Sequence, residues 1–129
     1  KHDLDLVQLI APTTTTARTQ QILDASSGFV YCVSVAGTTG VRKELPPALI
    51  EQLQQLRALT KLPLAVGFGI SGPDQVGALA GVAAGVIVGS AIVKLAAEAE
   101  SAAAASEAVR AFSVDMRAAV DGVQPSRRV

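Results

Sequence analysis

Three glycine-bearing loops each follow a short apolar run of the sequence, and their composition suits them to bind an anion. They are Gly-Thr-Thr-Gly at residues 37–40, Gly-Phe-Gly-Ile-Ser at residues 67–71 and Gly-Ser at residues 89–90. Glycine has no Cβ, so a ligand can approach the backbone N–H groups closely. Ser90 adds a hydroxyl donor, and a helix predicted to begin at Ala91 would add unpaired N–H groups and a positive dipole end. Together, the two loops after the last two runs predict a phosphate site that needs no lysine or arginine. A single glycine more often marks a tight turn or close packing, so the predicted phosphate site depends on two neighbouring loops.

The reactive side chains of the sequence offer less chemistry. Cys32 lies within an apolar run and is predicted to be a buried, inert thiol. His2 has no cluster of ligands nearby and is predicted to be structurally idle. No metal and no cofactor is predicted. The remaining acids are predicted to be solvated surface residues; they include Glu44, Glu51, Asp74 and Glu98.

Composition excludes several classes of protein. The chain has 129 residues, 11 basic and 11 acidic side chains, and hence a formal net charge of zero. Nucleic-acid binding needs a basic surface, which is missing. No apolar stretch approaches the ~20 residues of a membrane span, and no signal peptide is recognisable. With one cysteine and no possible intrachain disulfide, the expected location is the cytoplasm.

The elements that would position the loops alternate between strands and helices. Four apolar runs, near residues 6–10, 29–34, 64–68 and 85–89, have the composition of strands buried on both faces. Leucines spaced by three or four from Leu49 to Leu59 predict an amphipathic helix. A helix is predicted to begin at Pro73 and to continue through Val76, Leu79, Ala80 and Ala83.

The C-terminal part of the sequence is predicted to be helical. Alanine-rich residues 96–105 have strong helix propensity. A last amphipathic helix is predicted over about residues 106–121, with Val109, Phe112, Met116 and Val120 on its apolar side.

This order predicts an α/β fold with parallel strands joined by right-handed crossovers. A closed TIM (β/α)₈ barrel typically needs ~250 residues. Four βα units therefore predict a single domain over residues 1–129 that is half of such a barrel. A flavodoxin-like open sheet is the rival architecture, but it usually needs a fifth strand.

Four segments in the same order resemble the tryptophan synthase alpha subunit. They are Leu-Ile-Ala-Pro-Thr-Thr at 9–14, Gly-Phe-Val-Tyr to Gly-Thr-Thr-Gly over 28–40, Gly-Phe-Gly-Ile-Ser at 67–71, and Val-Gly-Ser-Ala-Ile-Val-Lys at 88–94. The likeness extends from about residue 5 to residue 97 and is to the C-terminal half of that family's barrel.

The resemblance implies an activity and roles for particular residues. The family is a lyase of tryptophan biosynthesis that cleaves indole-3-glycerol phosphate into indole and glyceraldehyde 3-phosphate by a retro-aldol step. A beta subunit then receives the indole. By position, the residues expected to bind substrate are Tyr31 and Phe68 beside the indole, Thr39 on a mobile lid over residues 37–47, and Gly40, Gly69, Gly89 and Ser90 around the phosphate.

The family's two catalytic carboxylates lie on its N-terminal half, and no residue of this sequence matches them. We therefore expect no catalytic residue here, with Tyr31 and Thr39 in supporting roles, and no turnover by the chain alone. The alternatives are a non-catalytic phosphate-binding half-barrel, or another phosphate-binding barrel such as indole-3-glycerol phosphate synthase or a histidine-pathway isomerase. Open strand edges predict pairing with a missing N-terminal half or self-association.

Overall fold

The computed structural model describes residues 2–34, 45–67 and 69–123. Strands and helices alternate along the described chain. In chain order they are β1 (Gln8–Ile10), α1 (Thr16–Ala25), β2 (Val30–Val33), α2 (Pro47–Leu59), β3 (Leu64–Gly67), β4 (Gly85–Ile87), α3 (Ser90–Glu98) and α4 (Ala102–Val123). Two short 3₁₀ turns, Pro73–Gln75 and Gly77–Leu79, lie between β3 and β4.

The four strands form one parallel sheet in the order β1-β2-β3-β4. Each strand therefore pairs with the strand that precedes or follows it in the chain. In a flavodoxin-like sheet the strands are also parallel, but the order in which they are added reverses, which gives the order 2-1-3-4-5. The sequential order is that of a (β/α)₈ barrel wall and excludes the rival architecture.

The core lies between one face of the sheet and the helices. Strand residues on that face are buried, and they are Ile10, Val30, Cys32, Leu64 and Val66. The helices contribute Ile22 and Leu23 from α1, Leu49, Leu53 and Leu56 from α2, and Met116 from α4. As predicted, Leu49, Leu53 and Leu56 of the leucine stripe are buried, whereas Leu59 at the end of α2 is 50% exposed and does not belong to the core.

The opposite face of the sheet is much less buried, which corrects the prediction of strands buried on both faces. Leu9, which pairs with Tyr31, is 59% exposed, and Tyr31 and its partner Ala65 are only partly buried. Side chains alternate along a strand, and paired residues share a face. In a closed barrel this face points to the interior, where side chains of all eight strands pack together. Four strands provide half of that packing.

The predicted helix after Pro73 is wrong: the chain forms the two 3₁₀ turns there. Glycines are the physical reason, because Gly77 is a poor helix former and Gly81 has φ +77°, which ends a right-handed helix. Val76 and Leu79 are nevertheless buried. A spacing of three brings both side chains to one side of a 3₁₀ turn.

The C-terminal region forms two helices, and α4 starts earlier than predicted, at Ala102. The alanine-rich segment is not continuously helical, because Ala99 has extended dihedral angles. Ser101 Oγ then accepts a 3.1 Å hydrogen bond from the Ala104 N–H, which caps the new helix. Met116 is buried, while Phe112 and Val120 pack against the core from the same side of α4. No helix in the described part of the chain combines the length and apolarity needed to cross a membrane.

Candidate functional site

The candidate site lies at the carboxyl edge of the sheet. Val33, Gly67 and Ile87 are aligned across β2, β3 and β4 by the strand register. The loops that follow these strands therefore all leave the sheet at the same edge. Gly69 and Gly89 each lie two residues beyond the paired residues Gly67 and Ile87, so the two loops predicted to bind phosphate are neighbours.

The loop after β3 contains a glycine in the left-handed region. Gly69 has φ +57°, a conformation that most other residues adopt only with strain. It is exposed, and a Cβ at this position would meet no atom of the described residues, apart from its chain neighbours, within 4 Å. Within the described part of the chain, the requirement for glycine here is therefore conformational.

Gln75 holds this loop, a role that is not predicted from the sequence. Its side chain is buried and bonded to loop atoms: Oε1 accepts from the Ser71 N–H at 2.7 Å, and Nε2 donates to the Gly69 carbonyl at 3.2 Å. Glutamine is usually an exposed residue, so composition gave no reason to select it. The available signal was its position two residues after Pro73, in a turn that directly follows the glycine-bearing loop.

The loop after β4 leads directly into α3. Gly89 is the N-cap of this nine-residue helix and, as a glycine, supplies no side-chain cap to the N–H groups of its first turn. These N–H groups have no acceptor within a helix and carry the positive end of its dipole. Gly89 and Ser90 are exposed, so the helix start is accessible, one residue earlier than predicted.

Tyr31 lies on the less buried face of the sheet, in the middle of β2. Its phenol group lies against Gly67 of β3, in the space that a side chain at that position would fill. The hydroxyl therefore lies close to the carboxyl end of β3, from which the Gly69 loop leaves. Of the seven predicted site residues, the structure thus brings Gly69, Gly89 and Ser90 to one edge of the sheet and places the Tyr31 hydroxyl beside the end of β3.

The other three predicted site residues, Thr39, Gly40 and Phe68, lie outside the described residues. So does most of the predicted lid, residues 37–44. Their roles stay predictions.

Charged groups among the described residues lie on the surface. Every aspartate and glutamate in residues 2–34, 45–67 and 69–123 is exposed, including Glu51, Asp74 and Glu98, as predicted. The ion pairs Lys94–Glu98, Glu107–Arg110 and Arg117–Asp121 are exposed pairs along α3 and α4. Arg110 holds the pKa of the Glu107 carboxyl below its usual value. Within the described ranges, no group of three or more His, Cys, Asp or Glu side chains is arranged to hold a metal ion.

Comparison with known proteins identifies relatives along nearly the whole chain. The family model of the tryptophan synthase alpha chain matches residues 1–121. The chain is 48% identical over 94 residues to the tryptophan synthase alpha chain of Carboxydothermus hydrogenoformans, covering 73% of this chain and 35% of that protein. It is 44% identical over 122 residues to that of Streptomyces avermitilis, covering 95% of this chain and 44% of the relative.

Solved structures agree with these relatives. The chain is similar to tryptophan synthase subunit alpha from Legionella pneumophila, with a TM-score of 0.74 and 36% identity over 93% of this chain and 44% of that one. It thus spans less than half the length of the relatives it matches. Together with the sequential parallel sheet, this coverage shows that the fold is half of a (β/α)₈ barrel.

Proposed function

The chain belongs to the tryptophan synthase alpha chain family, and from that premise we propose that it supplies half of the active site of an indole-3-glycerol phosphate lyase. Its contribution is the phosphate-binding loops, one wall of the indole pocket and a lid. The observation that carries this proposal is the position of Gly69 and Gly89 at the same edge of adjacent strands, with a helix starting at Ser90.

Phosphate binding would depend on backbone N–H groups. Gly69, Gly89 and Ser90 would donate N–H groups, Ser90 would add its hydroxyl, and Gly40 would complete the site from the lid. A helix N-terminus favours an anion by roughly 0.3–1 kcal/mol at an exposed position, and by more when partly buried. No cationic side chain is needed for this mode of binding.

The indole would lie beside Tyr31 and Phe68, while Thr39 would close over the substrate with the lid. The position of Tyr31 supports this assignment, because its side chain lies on the face that a complete barrel encloses. Ring stacking and exclusion of water are the contributions expected from such a wall.

Carbon–carbon cleavage needs more than binding. A retro-aldol step requires a base at the glycerol hydroxyl and an acid at indole C3, each within hydrogen-bond reach. The described carboxylates are all exposed, whereas a general acid is usually tuned by partial burial. We therefore propose that the chain alone binds substrate without cleaving it. An indole-release assay on the isolated chain tests this point, and robust turnover would refute it.

Titration with ligand, followed by amide NMR, tests the phosphate site. We expect indole-propanol phosphate and inorganic phosphate to shift the amide signals of Gly69, Gly89 and Ser90. Gly81 is the matched control, because it too is a glycine with positive φ but precedes β4, at the opposite edge of the sheet. Unshifted signals at all three site residues would reject the proposal. Binding of phosphate without any preference for the indole compound would favour a simple phosphate-binding half-barrel.

The less buried sheet face and the strand edges support a proposal about partners. We propose that a second four-stranded half, either an N-terminal half of the barrel or another copy of this chain, pairs with β1 and β4. Edge strands present unpaired N–H and C=O groups, and the relatives are more than twice as long as the matched segment. A beta subunit would bind the completed barrel. A cytoplasmic location belongs to the same proposal and is supported by the free, buried thiol of Cys32.

A further inference from the structure

We propose that Gln75 is a positioning residue, which sets the Gly69–Ser71 loop in the conformation that binds phosphate. This inference rests on the proposed function, and it assigns to a buried side chain the task of orienting a backbone ligand site. Gln75 is 6% exposed, and a buried amide is costly unless it is hydrogen-bonded.

One carboxamide connects both sides of the loop. Its Oε1 accepts hydrogen bonds from the Ser71 N–H at 2.7 Å and the Ser71 hydroxyl at 3.2 Å. Its Nε2 donates to the Gly69 carbonyl at 3.2 Å. A flipped amide would put a donor against the Ser71 N–H and an acceptor against the Gly69 carbonyl, so this amide has a unique orientation. Gln75 therefore fixes the positions of Gly69 and Ser71, the two neighbours of the buried Ile70.

These bonds determine where the next peptide group points. The Gly69 carbonyl belongs to the same peptide unit as the Ile70 N–H. In a trans peptide those two groups point in opposite directions, and the described chain has no cis peptide bond. Because the carbonyl points to the buried Gln75, the Ile70 N–H points away from it. Gln75 thereby orients the Ile70 N–H, a donor additional to the Gly69, Gly89 and Ser90 N–H groups of the proposed site, and supports the left-handed conformation of Gly69.

The turn that carries Gln75 is itself anchored. Pro73 begins the 3₁₀ turn, and the Gln75 N–H donates to the Gly72 carbonyl at 3.4 Å. The next residue, Val76, is buried in the core. The loop is thus attached to the core through Gln75 and the neighbouring Val76. Support of this kind is what a preorganised anion site needs.

Three variants of the chain separate positioning from stability. Gln75→Leu removes every side-chain bond to the loop. Gln75→Glu, as a carboxylate, can still accept from Ser71 but cannot donate to the Gly69 carbonyl. Val76→Ala is the matched control, since it destabilises the same turn without touching the loop bonds. Each variant is titrated with inorganic phosphate, and its thermal midpoint is measured in parallel.

We expect Gln75→Leu to weaken phosphate binding about tenfold and Val76→Ala to leave it within about twofold. Gln75→Glu should weaken it as well, because a carboxylate beside the loop repels the phosphate and cannot donate to the Gly69 carbonyl. In phosphate-free solution, Gln75→Leu should also accelerate hydrogen exchange of the Ser71 amide, whereas Gln75→Glu should leave it protected. Equal losses of binding in Gln75→Leu and Val76→Ala at equal thermal midpoints would overturn the proposal. A wild-type chain that binds no phosphate would overturn the proposed function. The role of Gln75 is then tested by hydrogen exchange alone: an unchanged exchange rate of the Ser71 amide in Gln75→Leu would refute the claim that Gln75 positions the loop.

Discussion

The phenol group of Tyr31 lies against Gly67 on the adjacent strand, in the space where a larger residue would place its side chain. Tyr31 pairs with Ala65, so Gly67 is the next residue on the same face of β3. The dihedral angle φ of Gly67 is not in the left-handed region, and the need for glycine is therefore steric. The two residues form one packing unit on the face that includes the candidate site.

Substitution of Gly67 by alanine should displace the Tyr31 ring. We expect Gly67→Ala to lower the free energy of unfolding by about 1–3 kcal/mol, as overpacking does. In a Tyr31→Ala background the same change should cost much less, because the clashing group is gone. Urea unfolding of the four proteins gives the coupling energy.

Gly85→Ala is the matched control for this cycle. Gly85 also lies in a strand, β4, and a Cβ there would meet no atom of residues 2–34, 45–67 and 69–123 within 4 Å, its chain neighbours aside. It should be tolerated with or without Tyr31. Additive effects of the changes at positions 31 and 67 would contradict the steric account.

Much of the fold could be predicted because its signals are local. Runs such as residues 64–68 have strand composition, and alternation with helices predicts parallel pairing. The helix after Pro73 could not be distinguished from 3₁₀ turns by spacing, because Val76 and Leu79 are three residues apart, which suits both structures. Gly77 and Gly81 were the signals against a long helix.

The candidate site was predictable to a different degree. Loops with glycine at the ends of adjacent strands are visible in sequence, since chain order and strand order coincide. Gln75 was not, because its role depends on a turn that returns the side chain over the preceding loop. The one-sided burial of the sheet was also not evident, because strands of a (β/α)₈ barrel wall carry apolar residues on both faces.

Truncation of a core leucine on α2 should be strongly destabilising. Leu53 is 0% exposed and packs in the middle of the core. We expect Leu53→Ala to cost about 2–5 kcal/mol, from lost burial and the cavity left behind. Leu59 on the same helix is 50% exposed, so Leu59→Ala should change stability by no more than about 0.5 kcal/mol. Similar losses in both variants, measured by urea unfolding, would contradict the observed orientation of α2.

Cys32 should make the stability of the protein sensitive to alkaline pH. Burial raises the pKa of its thiol from 9.0 to about 11, because the thiolate is poorly solvated in the core. The folded state therefore retains a proton that the unfolded state releases. This contribution is complete below pH 9 and is lost as the pH rises towards 11, by an amount on the order of 2 kcal/mol.

Comparison with Cys32→Ala isolates this effect, since other groups titrate alike in both proteins. The stability difference between wild type and variant should be constant up to about pH 9 and then shrink. A thiol reagent should modify the native protein far more slowly than the unfolded one. Rapid modification of the native protein, or a difference that does not depend on pH, would show that the thiol is not buried in this way.

A lysine at position 9 tests whether the less buried sheet face is an interface. Leu9 is 59% exposed on edge strand β1, so Leu9→Lys should leave the folded chain nearly as stable. If two copies of the chain pair to form a closed barrel, the ammonium group introduced at position 9 faces the apolar interior, where removal of a charge from water is costly. We expect association to weaken at least about tenfold in sedimentation equilibrium. Leu59→Lys is the control, because Leu59 is similarly exposed but lies on α2, outside the sheet. A wild-type chain that stays monomeric at high concentration, or equal weakening by both substitutions, would exclude closure by a second copy through this face.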